Sequence, residues 1–339
     1  MHRSTAAAAV LLLLFTGCTA AKPQTASRDL FAMDTFMDLT VTCKDPQAAL
    51  EEAEGAVEDL EKAFSVNLPD SDISRINAQA GTPVQIGEDT AAVLAAAVQY
   101  GDESGGALDI TVTPVLQAWG FTTGEYRVPA RSEIEALLQH VDYSRITLEG
   151  NTAALPEGSR MDLGALAKGY TGDRLLEIFR EHGAESALVN LGGNVQTLGR
   201  KPDGSLWKVG ICDPMAPDTN LGAVEIENCA VITSGNYERY FEEDGVRYWH
   251  ILDPADGAPA DNGLVSVTVM GESGLMCDAL STAIFVEGLE RGIEHWRSRD
   301  DFEMILVTDA HTIYVTQGAA AHFTVLCDSP VEVIGREAE

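Results

Sequence analysis

Residues 187–194, Ala-Leu-Val-Asn-Leu-Gly-Gly-Asn, decide which kind of fold this chain takes. The apolar run Ala187–Leu191 reads as a buried strand that passes straight into Gly192-Gly193-Asn194. A doubly wound dinucleotide fold opens with a strand and a glycine-rich turn, but it needs three glycines at set spacing before a helix. Gly192-Gly193 lacks that spacing. On both sides of it, strands and helices mix without strict alternation, and the chain is therefore read as α+β rather than doubly wound.

Upstream, Phe31 to Thr42 reads as one strand with partial alternation, and Leu50, Ala53, Val57, Leu60 and Phe64 mark one face of a helix. Thr90 to Glu103 is a second helix, ending at Gly105-Gly106. Ile146 to Leu155 forms a hairpin about Glu149-Gly150-Asn151. A helix begun near Ala165 closes at His182-Gly183, with Gly183 as its C-terminal cap. Downstream lie strands Trp207–Ile211, Ala230–Thr233, Leu264–Met270, Met304–Thr308 and Thr312–Thr316, the last two flanking a tight Asp309-Ala310-His311 turn. Helices near Cys277–Val286 and Leu289–Ser298 interrupt them.

The formal net charge of −31 argues against nucleic acid and against an electrostatic grip on anionic lipid. A chain this acidic needs a cation to hold a phosphate-bearing ligand. At the N-terminus, Ala6 to Phe15 follows His2-Arg3 and is too short to span a bilayer. It ends in Phe15-Thr16-Gly17-Cys18, which resembles a lipoprotein cleavage box. Residues 1–17 are then a signal peptide, Cys18 carries lipid such as palmitate, and 18–29 form a flexible tether. The folded body, residues 30–336, is expected outside the cytoplasm, anchored at the periplasmic side or the outer surface of a membrane. The remaining cysteines (Cys43, Cys212, Cys229, Cys277, Cys327) lack metal or dithiol spacing and are odd in number, so buried thiols are expected.

Two segments carry the strongest chemical signal. In Met161–Asp173, Asp162, Lys168 and three glycines stand where an apolar run becomes a helix, so backbone N–H groups and one lysine can meet phosphate. In Asp278-Ala-Leu-Ser-Thr282, Asp278 and Thr282 share one helix face. A carboxylate and a hydroxyl there suit magnesium, which completes its shell with water and phosphate oxygens. The alternative is that Asp278 caps the helix and Thr282 faces solvent. Weaker candidates are Thr233–Tyr237 as a phosphate turn, His250 as a general base or a packed histidine, Asp109 as a ring or ribose contact, and Met33 against a planar ligand.

Taken together these segments resemble the FAD:protein FMN transferase family, also called the ApbE family. The resemblance covers nearly the whole mature chain in the family's order: Met33–Thr35, Gly106–Asp109, Asp162–Tyr170, Asn190–Asn194, Trp207–Ile211 with Asp213-Pro214, Thr233–Tyr240, His250–Pro259 and Asp278–Thr282. It implies one large mixed α/β domain that splits FAD with magnesium. FMN passes through its phosphate to a Thr or Ser of a partner redox protein, and AMP leaves. By position it implies Ala165 (through its carbonyl), Asp278 and Thr282 as metal ligands, with Ser281 an addition. Met33, Ala107, Leu108, Asp109, Asp162, Lys168 and Leu252 would line the FAD site, and His250 is nominated as the base beside Asp278.

One departure stands at Asn67, where many members of the family carry an aromatic side chain near the flavin. Asparagine cannot stack on an isoalloxazine ring as an aromatic does. Weaker FAD retention and more transfer to water are expected. The competing readings are an FAD pyrophosphatase giving FMN and AMP, and a lipid-anchored flavin-binding protein without turnover.

Overall fold

Gly192 and Gly193 close a two-residue hairpin, with φ of 60° and 96° and Leu191 opposite Asn194. Glycine is required there: both residues take left-handed backbone, and a Cβ on Gly192 would sit 2.0 Å from Thr35 Oγ1. The chain thus returns as an antiparallel neighbour instead of entering a helix, as the α+β reading requires.

The computed structural model describes residues 22–337. Its core is a nine-stranded sheet whose spatial order follows the chain. The strands are β1 (Gln24–Ala32), β2 (Thr35–Cys43), β3 (Ser186–Leu191), β4 (Asn194–Leu198), β5 (Ala230–Gly235), β6 (Leu264–Gly271), β7 (Phe302–Thr308), β8 (Ile313–Thr316) and β9 (Val331–Ile334). All neighbours are antiparallel except β8 and β9. The helices that build the site are α1 (Pro46–Phe64), α2 (Asp72–Ala78), α3 (Glu88–Glu103), α4 (Ala167–Glu181) and α5 (Gly274–Arg297).

The two ends of the sheet are covered differently. On β2 and β3, Met37, Leu39, Val41, Ala187 and Val189 pack on Leu50, Val57, Leu175 and Phe179 of α1 and α4. β6 is buried from Leu264 to Met270 because both faces are covered. Val267 and Val269 meet Leu280 and Ile284 of α5, while Val265 and Met270 meet Ile211, Leu221 and Val224 of a second, smaller sheet. Two-sided burial is why β6 reads as a continuous apolar run.

Several expectations are corrected. Phe31–Thr42 is two strands: Met33 and Asp34, at φ 50° and 58°, turn the chain between Phe31 and Phe36. β1 begins at Gln24, so residues 24–29 of the expected tether belong to the sheet, with Gln24 paired to Cys43. This edge strand has one solvated face, which gives it the composition of a linker. The helices expected at 277–286 and 289–298 are two halves of α5, kinked at Gly288. α2, the helices Thr113–Trp119 and Arg131–Leu138, and the hairpin of Tyr240–Glu243 with Val246–Trp249 were not anticipated.

Cys43 and Cys277 are buried, whereas Cys212, Cys229 and Cys327 are only half-buried; all five are free thiols. Among the described residues no helix is long and apolar enough to cross a membrane. The signal peptide of residues 1–17 and Cys18 lie outside the described residues.

Candidate functional site at the junction of α4 and α5

The glycines of Met161–Asp173 bring protein, rather than ligand, into close approach. A Cβ on Gly169 would lie 2.3 Å from the Gly274 carbonyl and 2.7 Å from Asp278 Cβ. One on Gly172 would strike the Gln196 amide at 2.2 Å. α4 and α5 therefore meet almost backbone to backbone, with Gln196 Nε2 donating to the Gly169 carbonyl at 2.8 Å. Asp173 caps the start of α5, accepting from the Gly274 and Leu275 amides at 2.7 and 3.0 Å and from Ser273 Oγ at 3.1 Å. Burial pushes the Asp173 carboxyl above its ordinary range, and these donors oppose the shift.

Asp278 sits at the centre of this contact and is 4 % exposed. Its Oδ2 accepts from the Gly169 amide at 2.8 Å and its Oδ1 from Asn194 Nδ2 at 3.0 Å. It is not the cap of α5, since Ser273 holds that position. The bond to Gly169 has a second effect. The Gly169 N–H would ordinarily return to the Ala165 carbonyl four residues back, but it is spent on Asp278. Among the described residues the Ala165 carbonyl receives no hydrogen bond, while the next carbonyl, Leu166, takes that of Tyr170 at 3.0 Å. Beside Asp278, Ser234 Oγ at the end of β5 lies 2.8 Å from Ser281 Oγ and 3.3 Å from Thr282 Oγ1. Ser281 also donates to the Asp278 carbonyl at 2.9 Å.

The loop entering α4 is held from outside. Asn77 of α2 clamps Met161, donating to its carbonyl at 2.8 Å and accepting from its amide at 2.9 Å. Asp162 accepts from Gly164 N–H and from Thr113 Oγ1, both at 2.9 Å. Asp162 also donates its own amide to Ile110, at 3.2 Å. That ties it to the segment of Ala107, Leu108 and Asp109. Asp109 is buried, accepting from Thr111 N–H and Oγ1 at 2.7 and 2.6 Å and from Tyr143 N–H at 3.1 Å. Burial raises its carboxyl above the ordinary value despite these donors. Met33 is held in its left-handed turn by a 2.7 Å bond from its amide to Glu61 and a contact of its sulfur with Thr171 of α4 at 3.7 Å.

The facing wall is the segment after β5 and the loop at His250. Lys168 is half-buried and makes no ion pair among the described residues. Its charge is felt by both Glu238 and His250, which places the three groups about one space. Glu238 is exposed to solvent, yet protein crowded around its carboxyl pushes it up to about 7; Asp278 adds to the rise and Lys168 opposes it. Desolvation, with the charges of Arg239 and Lys168, brings the His250 imidazole down to about 4. Its Nδ1 lies 3.3 Å from the Arg239 carbonyl, so a neutral ring donates there and leaves the Nε2 lone pair open.

Thus Ala165, Lys168, Asp278, Ser281 and Thr282 come together, with Asp109 and Asp162 linked through Thr113. Leu252 lies in a separate small core with Trp119 and Phe121, and Asn67 is on the exposed loop between α1 and α2. Asn77, Asp173, Asn194, Gln196 and Glu238 were missed as site builders. Asp173 and Asn194 were in plain view, as polar residues within or directly after the two glycine-rich stretches.

An α+β sheet carrying buried carboxylate, hydroxyl, free carbonyl and lysine at one helix junction defines a protein that handles a phosphate-bearing ligand. The chain belongs to the ApbE family, whose model matches residues 33–306. It is 36% identical to an FAD:protein FMN transferase of Klebsiella pneumoniae, over 81% of this chain and 86% of that one. It is 32% identical to one of Treponema pallidum, over 88% and 89%. The crystal structure of the ApbE protein of Thermotoga maritima superposes with a TM-score of 0.83 at 32% identity, covering 88% of this chain and 99% of that chain. The flavin transferase ApbE of Vibrio cholerae gives 0.80 at 28% identity, over 88% and 99%.

Proposed function

We propose that this protein is an FAD:protein FMN transferase that uses magnesium and attaches FMN through a phosphoester to a Thr or Ser of a separate redox protein, releasing AMP. The observation that carries the reading is the Gly169–Asp278 bond, which joins the two chemically strongest segments, 109 residues apart. The relatives of known name, 29–36% identical over most of the chain, support the same activity.

The donor set fits magnesium rather than a transition metal. Among the described residues no three His, Cys, Asp or Glu gather as ligands. What gathers is hard oxygen: the Asp278 carboxylate, the Thr282 and Ser281 hydroxyls and the unbonded Ala165 carbonyl. Magnesium held there would neutralise phosphate oxygens and ease departure of AMP. Lys168 adds a second positive charge at the pyrophosphate. The acceptor hydroxyl attacks the flavin-side phosphorus, its proton passes to His250 Nε2, and the bond from that phosphorus to the bridging oxygen breaks. Because His250 is uncharged at neutral pH, it is ready to accept, although its low basicity makes it a modest base.

Asn67 favours a second reaction at the same site, transfer to water giving FMN and AMP. A merely flavin-binding protein has no use for the hydroxyl and carboxylate face of α5. From the sequence of residues 1–18 we further propose that the body is held outside the cytoplasm by lipid on Cys18. Mixing the soluble body with FAD, magnesium and a candidate redox subunit tests the activity. Flavin fluorescence should stay with the acceptor band on a denaturing gel, and a dark acceptor with free AMP would instead establish the hydrolase.

A further inference from the structure

Away from this site, where the second sheet meets the turn between β7 and β8, three side chains form a connected chain. Asp213 Oδ1 lies 3.0 Å from His311 Nε2, and His311 Nδ1 lies 3.2 Å from Ser329 Oγ. Asp213 is 7 % exposed and is fixed by a 2.9 Å bond from the Met215 amide. Its carboxylate therefore faces the imidazole in one orientation. With the Nε2 proton donated to Asp213, the Nδ1 lone pair must accept, and among the described residues the hydroxyl at it is that of Ser329. This is the relation of nucleophile, base and orienting acid that activates serine, recognised by roles rather than by chain order.

The arrangement opens on a shallow, solvent-open depression lined by Ala310, His311, Cys327, Asp328, Ser329 and Pro330. His311 stands at φ 60°, a left-handed position closing the β7–β8 turn where glycine or asparagine would be easier. Backbone outliers of this kind cluster at working sites. Among the described residues the Asp328 and Ser329 amides make no hydrogen bond.

We propose that Ser329, His311 and Asp213 form a second catalytic site, an esterase centre for small neutral acyl esters. The Ser329 oxygen attacks the ester carbonyl while its proton moves to His311 Nδ1. The tetrahedral adduct collapses, the alcohol leaves with that proton, and water then releases the acid and restores Ser329. Substrate class follows from the lining. The open depression leaves room only for a short acyl group against Ala310 and Pro330, and the exposed Asp328 carboxylate, on a chain of net charge −31, repels anionic esters.

The test uses the whole soluble body with p-nitrophenyl acetate and with a fluorophosphonate probe. Ser329→Ala and His311→Asn should each lower ester hydrolysis by about 10²-fold while flavin transfer is retained, which shows that the variants fold. The probe should modify Ser329, as mapped by mass spectrometry. Unchanged hydrolysis in Ser329→Ala, or modification of Cys327 in place of Ser329, would overturn the proposal. Cys327 is the competitor because its Sγ lies 3.2 Å from Ser329 Oγ.

Discussion

The two walls of the proposed flavin site are built differently. The wall of α4 and α5 is buried and glycine-packed, and its carboxylates tie the elements together: Asp278 joins Gly169 and Asn194, and Asp173 caps α5. The wall of Glu238, Arg239 and His250 is more open and holds a carboxyl raised to about 7 and an imidazole lowered to about 4. In the reaction proposed above, the first wall holds the phosphates and metal in place and the second receives the proton, so substitutions on each side should fail in different ways.

The largest effect is expected from Asp278→Ala. Transfer should fall by about 10³-fold, since the variant loses both a charge at the phosphates and the anchor of the Gly169 amide. A rate within tenfold of the parent would remove Asp278 from the centre. Next is Gly169→Ala, which forces a methyl against the Gly274 carbonyl. It should cost about 1–3 kcal/mol of stability by thermal melting and lose transfer in parallel, whereas Gly55→Ala, in α1 with open space at its Cβ and no left-handed backbone, should leave both intact.

The facing wall predicts a pH effect of mixed sign, read as the urea midpoint of metal-free protein. His250 is lowered from 6.5 to about 4, so the unfolded chain binds its proton first and stability falls as pH drops from 6.5 to 4. Glu238 is raised from 4.5 to about 7, so the folded state holds a proton the unfolded chain has released. Its contribution is full below pH 4.5 and is lost as pH rises to 7. Glu238→Gln should abolish that loss, and His250→Gln should flatten the acid limb. If neither variant changes the profile, the proton-handling role of this wall is wrong. The smallest effect is Asn67→Tyr, which should tighten FAD retention by about three- to tenfold and reduce AMP release without acceptor.

The first wall was also the more legible in the sequence. Asp278 with Thr282 at helical spacing, and Lys168 among glycines, are local patterns, and the sheet strands beside them are apolar runs. What escaped was non-local. Nothing in Gly169 announces that its partner is Gly274, and Asn194 and Gln196 read as strand polarity until the fold turns them toward α5 and α4. β1 passed for a tether because half of it is solvated, and the Met33-Asp34 turn was hidden because neither residue is glycine. Glu238 has no local signature, since its displacement comes from elements packed around it.

In the proposed reaction Ala165, Asp278 and Thr282 act as one cation site, joined through the Gly169–Asp278 bond. Calorimetric titration of magnesium into the FAD-loaded soluble body measures this directly. One magnesium per chain is expected, with binding weakened by about 10- to 100-fold in Asn194→Ala, which removes a partner of the Asp278 carboxylate, and absent in Asp278→Ala. Equal magnesium binding by the parent and Asp278→Ala would contradict it.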